Sequence, residues 1–226
     1  MMRALRRAGA IVRKDLRTEL RTRHAVNTMV FFAVSILLIL GFAMGPDTRR
    51  IEQTGPGLIW VSLLFTAVLG LGRVFDAERG NRGMEGLLNY PGDRRAVFLG
   101  KFMALTLLLT AVQAALLVFA SLLYNLDVWS VLPQLIGVLA LGTMGVAGIG
   151  TLYGALTLNL RASEVLLPLL MLPLIVPPVV ASISATELLI TGDPFGRLGG
   201  WIRLLAVFGL VFTLVPLMTF ERALAD

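Results

Sequence analysis

The sequence predicts an all-α polytopic membrane protein: six transmembrane helices preceded by an amphipathic interfacial helix. Three observations carry this. Of 226 residues, 57% are apolar and only 15% are charged, whereas a soluble domain carries about 25% charged residues to face water. The mean hydropathy is +0.83. The apolar residues also cluster into six stretches, and about 20 such residues cross the hydrocarbon core of a bilayer. A soluble enzyme and a disordered tail are both excluded.

The chain opens on a basic segment, residues 1–25, read as the interfacial helix. At 100° per residue, Leu5, Gly9, Val12, Leu16 and Leu20 fall on one arc. Arg6, Arg13, Arg17 and Arg21 share the adjoining flank with Arg3, Arg7 and Lys14, while Asp15 and Glu19 occupy the other and Ile11 is a misfit. An apolar stripe beside a basic flank lies in the headgroup plane. Arg13, Arg17, Arg21, Leu16 and Leu20 are the expected anchor. The basic region is too long for a signal peptide and the next apolar stretch is long enough to span, so a retained first helix is expected. No aromatic residues interleave with the charge, which argues against nucleic-acid binding.

The spans follow at about Val26–Met44, Gly57–Leu71 (continuing to Phe75), Phe102–Tyr124, Val131–Leu158, Val165–Ser184 and Ile202–Phe220. Together, residues 26–226 form one six-helix domain, with a long polar connection at 72–101. The fourth stretch exceeds one crossing, so tilt or an unwound end is expected.

Orientation follows from the basic residues. Sixteen of the twenty Lys and Arg lie in residues 1–25, in 72–101 and at Arg161 and Arg222; the other side has only Arg49, Arg50, Arg197 and Arg203. The positive-inside rule puts both termini in the cytoplasm. Trp60, Trp129 and Trp201 all fall on the opposite side, where an aromatic belt would anchor them in lipid.

Several chemistries are excluded. With no cysteine and one histidine, His24, the chain cannot build a disulfide, a thiolate metal site or a bis-histidine haem site. No ionisable residue lies near the middle of a span, as ion-coupled transporters require; Gln113 is the one strongly polar group at depth. No GxxxxGK[ST] phosphate loop is present, so any ATP is hydrolysed by a partner.

Two spans have unusual composition. The fourth carries Gly142, Gly145, Gly150 and Gly154 among six glycines, and small residues let helices approach closely in lipid. They serve either packing within the chain or a homodimer face. The fifth contains Pro168, Pro173, Pro177 and Pro178. Each removes a backbone donor, so this helix is expected to be kinked or broken. In the connection 72–101, Met84, Leu87 and Leu88 share one face of a short helix, with Glu85 beside them and Pro91 ending it. Such a helix either docks in a motor subunit or lies on the bilayer.

Five stretches, in order, resemble the haem-exporter protein B (CcmB) family: RTELRTR at 17–23, GLIWVSLLFTAVLGLGRVFDAE at 57–78, MEGLLNYPGDRRAVFLGK at 84–101, GTMGVAGIGTLYGALT at 142–157 and RASEVLLPLLMLPLIVPPVVAS at 161–182. The chain departs from the family's pattern at Asn89-Tyr90 and at Gly80-Asn81-Arg82.

The resemblance implies the permease subunit of an ABC-type complex in the bacterial inner membrane, with ABC-2-type permease architecture. It also implies partners: a CcmA-like ATPase holding ATP and Mg, a CcmC-like tryptophan-rich haem-handling subunit, a small CcmD-like subunit and a periplasmic haem chaperone. Carried onto this chain, Glu78, Met84, Glu85, Leu87 and Leu88 form or support the ATPase-coupling helix, and Arg73 and Lys101 flank it at the membrane surface. No cofactor is expected on the chain itself. His24 reads as a surface group and the methionines as packing, so haem is handled by the complex. The competing readings are an exporter permease for another lipid-like or drug-like cargo, and a non-transporting membrane scaffold.

Overall fold

A computed structural model describes residues 9, 12–13, 24–45, 48–79, 94–156 and 163–223. At 24–25, 48–49, 72–79, 94–95, 163–168 and 218–223 this description covers the backbone only. Six helices account for nearly all of it: α1 (His24–Met44), α2 (Thr48–Arg79), α3 (Arg94–Tyr124), α4 (Leu132–Leu156), α5 (Ser163–Thr191) and α6 (Leu198–Ala223). All six are long and apolar enough to cross a membrane. Of the interfacial segment only Gly9, Val12 and Arg13 are described; all are helical, with Val12 buried and Gly9 and Arg13 exposed. Leu16, Arg17, Leu20 and Arg21 lie outside the described residues.

The helices alternate in direction, and contacts between their ends show it. Gly41 near the end of α1 meets Tyr124 at the end of α3, and Gly55 near the start of α2 meets Leu126 just beyond α3. In the other half of the bundle Gly70 of α2 faces Met29 of α1 and Leu105 of α3, and Gly150 of α4 faces Leu71. Hence the connections 45–47, 125–131 and 192–197 share one end, and 80–93 and 157–162 share the other.

At the first end each helix stops in the same way. Gly45 (φ 78°), Asn125 (φ 52°) and Gly192 (φ 95°) follow α1, α3 and α5 directly. A left-handed residue there ends the helix and frees the chain to turn, and glycine or asparagine adopts it at least cost. The start of α6 is held by Asp193, whose carboxylate accepts the N–H groups of Arg197 (2.9 Å) and Leu198 (2.8 Å).

Most helices are longer than the apolar stretches that predict them. α2 begins at Thr48, not Gly57, and passes through Pro56 without a break. The Thr54 hydroxyl donates to the Arg50 carbonyl at 2.7 Å in this turn. α3 begins eight residues before Phe102, because the apolar run resumes at Ala96–Gly100 on the far side of Lys101. α5 holds all four prolines in one uninterrupted helix, Ser163–Thr191. Of the kink or break expected there, the break does not occur. Ser182 donates to the Pro178 carbonyl at 2.8 Å, a hydroxyl bond within the helix.

The core centres on α4, which packs on α2, α3, α5 and α6. The outer helices α1 and α6 turn large apolar side chains outward, among them Phe31, Ile39 and Phe42 on α1 and Val207, Leu210 and Leu214 on α6. A lipid-facing surface permits this where water would not.

Candidate coupling face and polar core

The connection 80–93 leaves the bundle between the end of α2 and the start of α3. Met84, Glu85, Leu87 and Leu88 fall within it, outside the described residues. Arg73 and Glu78 lie on the last two turns of α2. Lys101 is 4% exposed. Because α3 starts at Arg94, seven helical residues separate Lys101 from the connection. Beside it in sequence, Phe98 and Phe102 stack with centroids 6.3 Å apart.

The glycines of α4 face helices of the same chain. At Gly142 a Cβ would overlap the Ser182 hydroxyl and the Trp60 indole. At Gly148 it would come 2.9 Å from the Phe212 backbone oxygen of α6, and at Gly150 2.6 Å from a Leu71 methyl. A Cβ at Gly145 would meet Pro178 at an ordinary 3.5 Å. Gly154 is buried. Of the two roles left open, the packing is intrachain at Gly142, Gly148 and Gly150.

Trp60 fits into the space left by Gly142. It is fully buried, and its indole N–H donates to Thr186 Oγ1 at 3.0 Å. The expected anchoring of Trp60 in lipid is thus corrected. With α2 starting at Thr48, Trp60 lies three turns inside the helix instead of at its tip. Trp129 is 55% exposed and Trp201 is half-buried.

A set of hydroxyls and one carboxamide runs through the interior. Ser62, Thr66 and Thr186 each donate to the carbonyl four residues back at 2.7 Å, which satisfies their protons within their own helices. Gln113, 2% exposed, accepts from Thr143 Oγ1 at 2.8 Å and so joins α3 to α4. Its Nε2, like Thr151 Oγ1 and Thr213 Oγ1, is buried without a hydrogen-bond partner. Sequence reading found Gln113 but missed Trp60–Thr186 and the Tyr124 hydroxyl, which donates to the Leu37 carbonyl at 2.5 Å and ties α3 to α1. A tyrosine at a helix end carries no signal of the partner it will meet.

Such an arrangement joins helices; it does not assemble a reactive group. Among the described residues no cluster of three or more His, Cys, Asp or Glu could hold a metal ion.

Comparison with known proteins gives the family. The model of the family described as CcmB protein matches residues 6–225. The chain is similar to heme exporter protein B of Haemophilus influenzae, 28% identical over 82% of this chain and 84% of that one. It is also similar to the proteins of that name from Pseudomonas aeruginosa (28% identical; 87% and 86% covered) and Rhodobacter capsulatus (30% identical; 76% and 78% covered). Matched along almost its whole length and built of six membrane-spanning helices, this chain belongs to the CcmB family.

Proposed function

We propose that this chain is the permease subunit of an ABC-type complex for haem delivery in cytochrome c maturation. It transmits ATP hydrolysis by a separate ATPase subunit to release of the haem-loaded periplasmic chaperone. The observation that carries this reading is the family match over residues 6–225, supported by curated relatives named for haem export.

In this reading the chain is non-catalytic. ATP and Mg belong to a CcmA-like subunit, and haem is handled with CcmC-like and CcmD-like membrane subunits in the bacterial inner membrane. Both termini and the connection 80–93 face the cytoplasm, where Glu85, Leu87 and Leu88 meet the ATPase. The unbroken α2 supports a mechanical role. Any push on the connection enters a helix that runs without interruption from Arg79 to Trp60, and Trp60 passes it to α5 through Thr186.

The test uses Leu87→Asp and Glu85→Lys, singly and together, in a strain lacking the native gene. The expected result is normal membrane insertion with c-type cytochrome yield reduced tenfold or more and loss of co-purification with the ATPase. Wild-type yield and association in the double variant would refute the coupling role. Normal cytochrome c assembly in the strain with no gene copy at all would favour export of another lipid-like cargo.

A further inference from the structure

The connection between α5 and α6 carries a cluster that the packing of the bundle does not explain. Arg197, Arg203, Trp201, Gly199 and Gly200 line an open cavity of about 520 Å³ together with Leu204. It lies at the end of the bundle opposite the connection 80–93. Basic residues are scarce in the segments of that end, yet two of their four arginines meet here.

Neither arginine is used up by the fold. Arg197 rests over the exposed Phe195 ring at 5.7 Å, and Arg203 is exposed with no hydrogen bond or ion pair to a described residue. The nearby Asp193, on which the Arg197 charge also acts, has both carboxylate oxygens turned onto backbone N–H groups.

The glycines point the same way. Gly199 and Gly200 sit in the first turn of α6, and neither has a left-handed φ. A Cβ at either would meet nothing within 4 Å. Alanine would favour the helix, and neither conformation nor packing within the chain requires glycine. What the two glycines provide is bare backbone between two guanidinium groups, which suits close approach by a ligand.

The shape of the ligand is set by what surrounds this cationic cup. A guanidinium pairs with phosphate oxygens through paired N–H donors. A half-buried tryptophan belongs at a lipid–water boundary. Below the cup, Leu204, Val207, Val211 and Leu214 follow at three- and four-residue spacing, with the last three exposed. An apolar stripe leading down from a cationic cup fits a molecule with an anionic head and long acyl chains. We infer that this site holds the phosphate of one anionic phospholipid between Arg197 and Arg203, its acyl chains lying along α6.

The full-length chain in detergent is titrated with phosphatidylglycerol, phosphatidylcholine and inorganic phosphate, and bound molecules are counted by native mass spectrometry. One phosphatidylglycerol is expected to bind several-fold more tightly than phosphatidylcholine. Arg197→Gln with Arg203→Gln weakens it on the order of tenfold. Gly199→Ala with Gly200→Ala also weakens it, with charge unchanged and helical content retained by circular dichroism. Equal retention of the two lipids, or an unchanged affinity in the arginine variant, overturns the site. Displacement of phosphatidylglycerol by equimolar inorganic phosphate overturns the lipid as occupant in favour of a free anion.

Discussion

Trp60 illustrates how far a single residue's role depends on where its helix begins. Its position beside Gly57 and Pro56 reads from sequence as a helix tip at a lipid interface. Moving the start of α2 back to Thr48 carries the indole into the bundle, where Gly142 makes room and Thr186 accepts its N–H. The information was divided among residues 60, 142 and 186, and no local pattern joins them. Asp193 is the opposite case, a short-range device. Hydrogen bonds from the Leu198 and then the Arg197 backbone N–H hold its carboxyl below the usual carboxylate range. A depressed folded-state pKa means that the cap contributes fully above the unfolded value and is lost as pH falls through the folded one. The Arg197 and Leu198 amides should therefore keep their hydrogen-exchange protection, after correction for intrinsic rates, from neutral pH down to about 4. They should lose it at lower pH, and Asp193→Ala should remove it throughout. Protection unchanged in that variant would exclude the cap.

At the scale of elements, existence and order were legible, because six long apolar stretches have few other solutions in a bilayer. Their lengths were not. α2, α3 and α5 each extend seven to nine residues past the apolar run at one end: α2 through a mostly polar stretch at 48–54, α3 and α5 because single charges at Lys101 and Glu187 interrupt runs that continue beyond them. The glycine-rich α4 announced close packing but not its partners. Those partners now separate the glycines by consequence. Gly148→Ala drives a methyl onto the Phe212 backbone, which cannot rotate away, and should cost about 1–3 kcal/mol. Gly145→Ala meets Pro178 at van der Waals distance and should be neutral or slightly stabilising. Melting temperatures of the two variants in one detergent decide this, and equal values would contradict the close α4–α6 contact. The coupling residues 84–88 were singled out by resemblance and by a short apolar spacing, and they lie outside the described residues.

For the whole molecule, charge asymmetry predicts the orientation while alternating helix-end contacts give the grouping of the connections, and the two are independent. A chain without cysteine permits a direct check. In intact cells Asp127→Cys and Phe195→Cys should react with a membrane-impermeant maleimide, whereas Asn81→Cys should react only after the membrane is opened. Labelling of residues 127 and 195 from different sides would contradict the grouping of those two connections.

Under the proposed coupling role, the burial of Trp60 would let α2 work as a lever. The helix is about 48 Å long at 1.5 Å per residue, and the indole, held between α4 and α5, would supply a fulcrum twelve residues from the Thr48 end and nineteen from the Arg79 end. A sideways displacement at Arg79 would reach Thr48 reversed in direction and reduced to about two-thirds. Motion entering at one face of the membrane would then emerge at the other as an opposite tilt, with no helix having to slide along its axis.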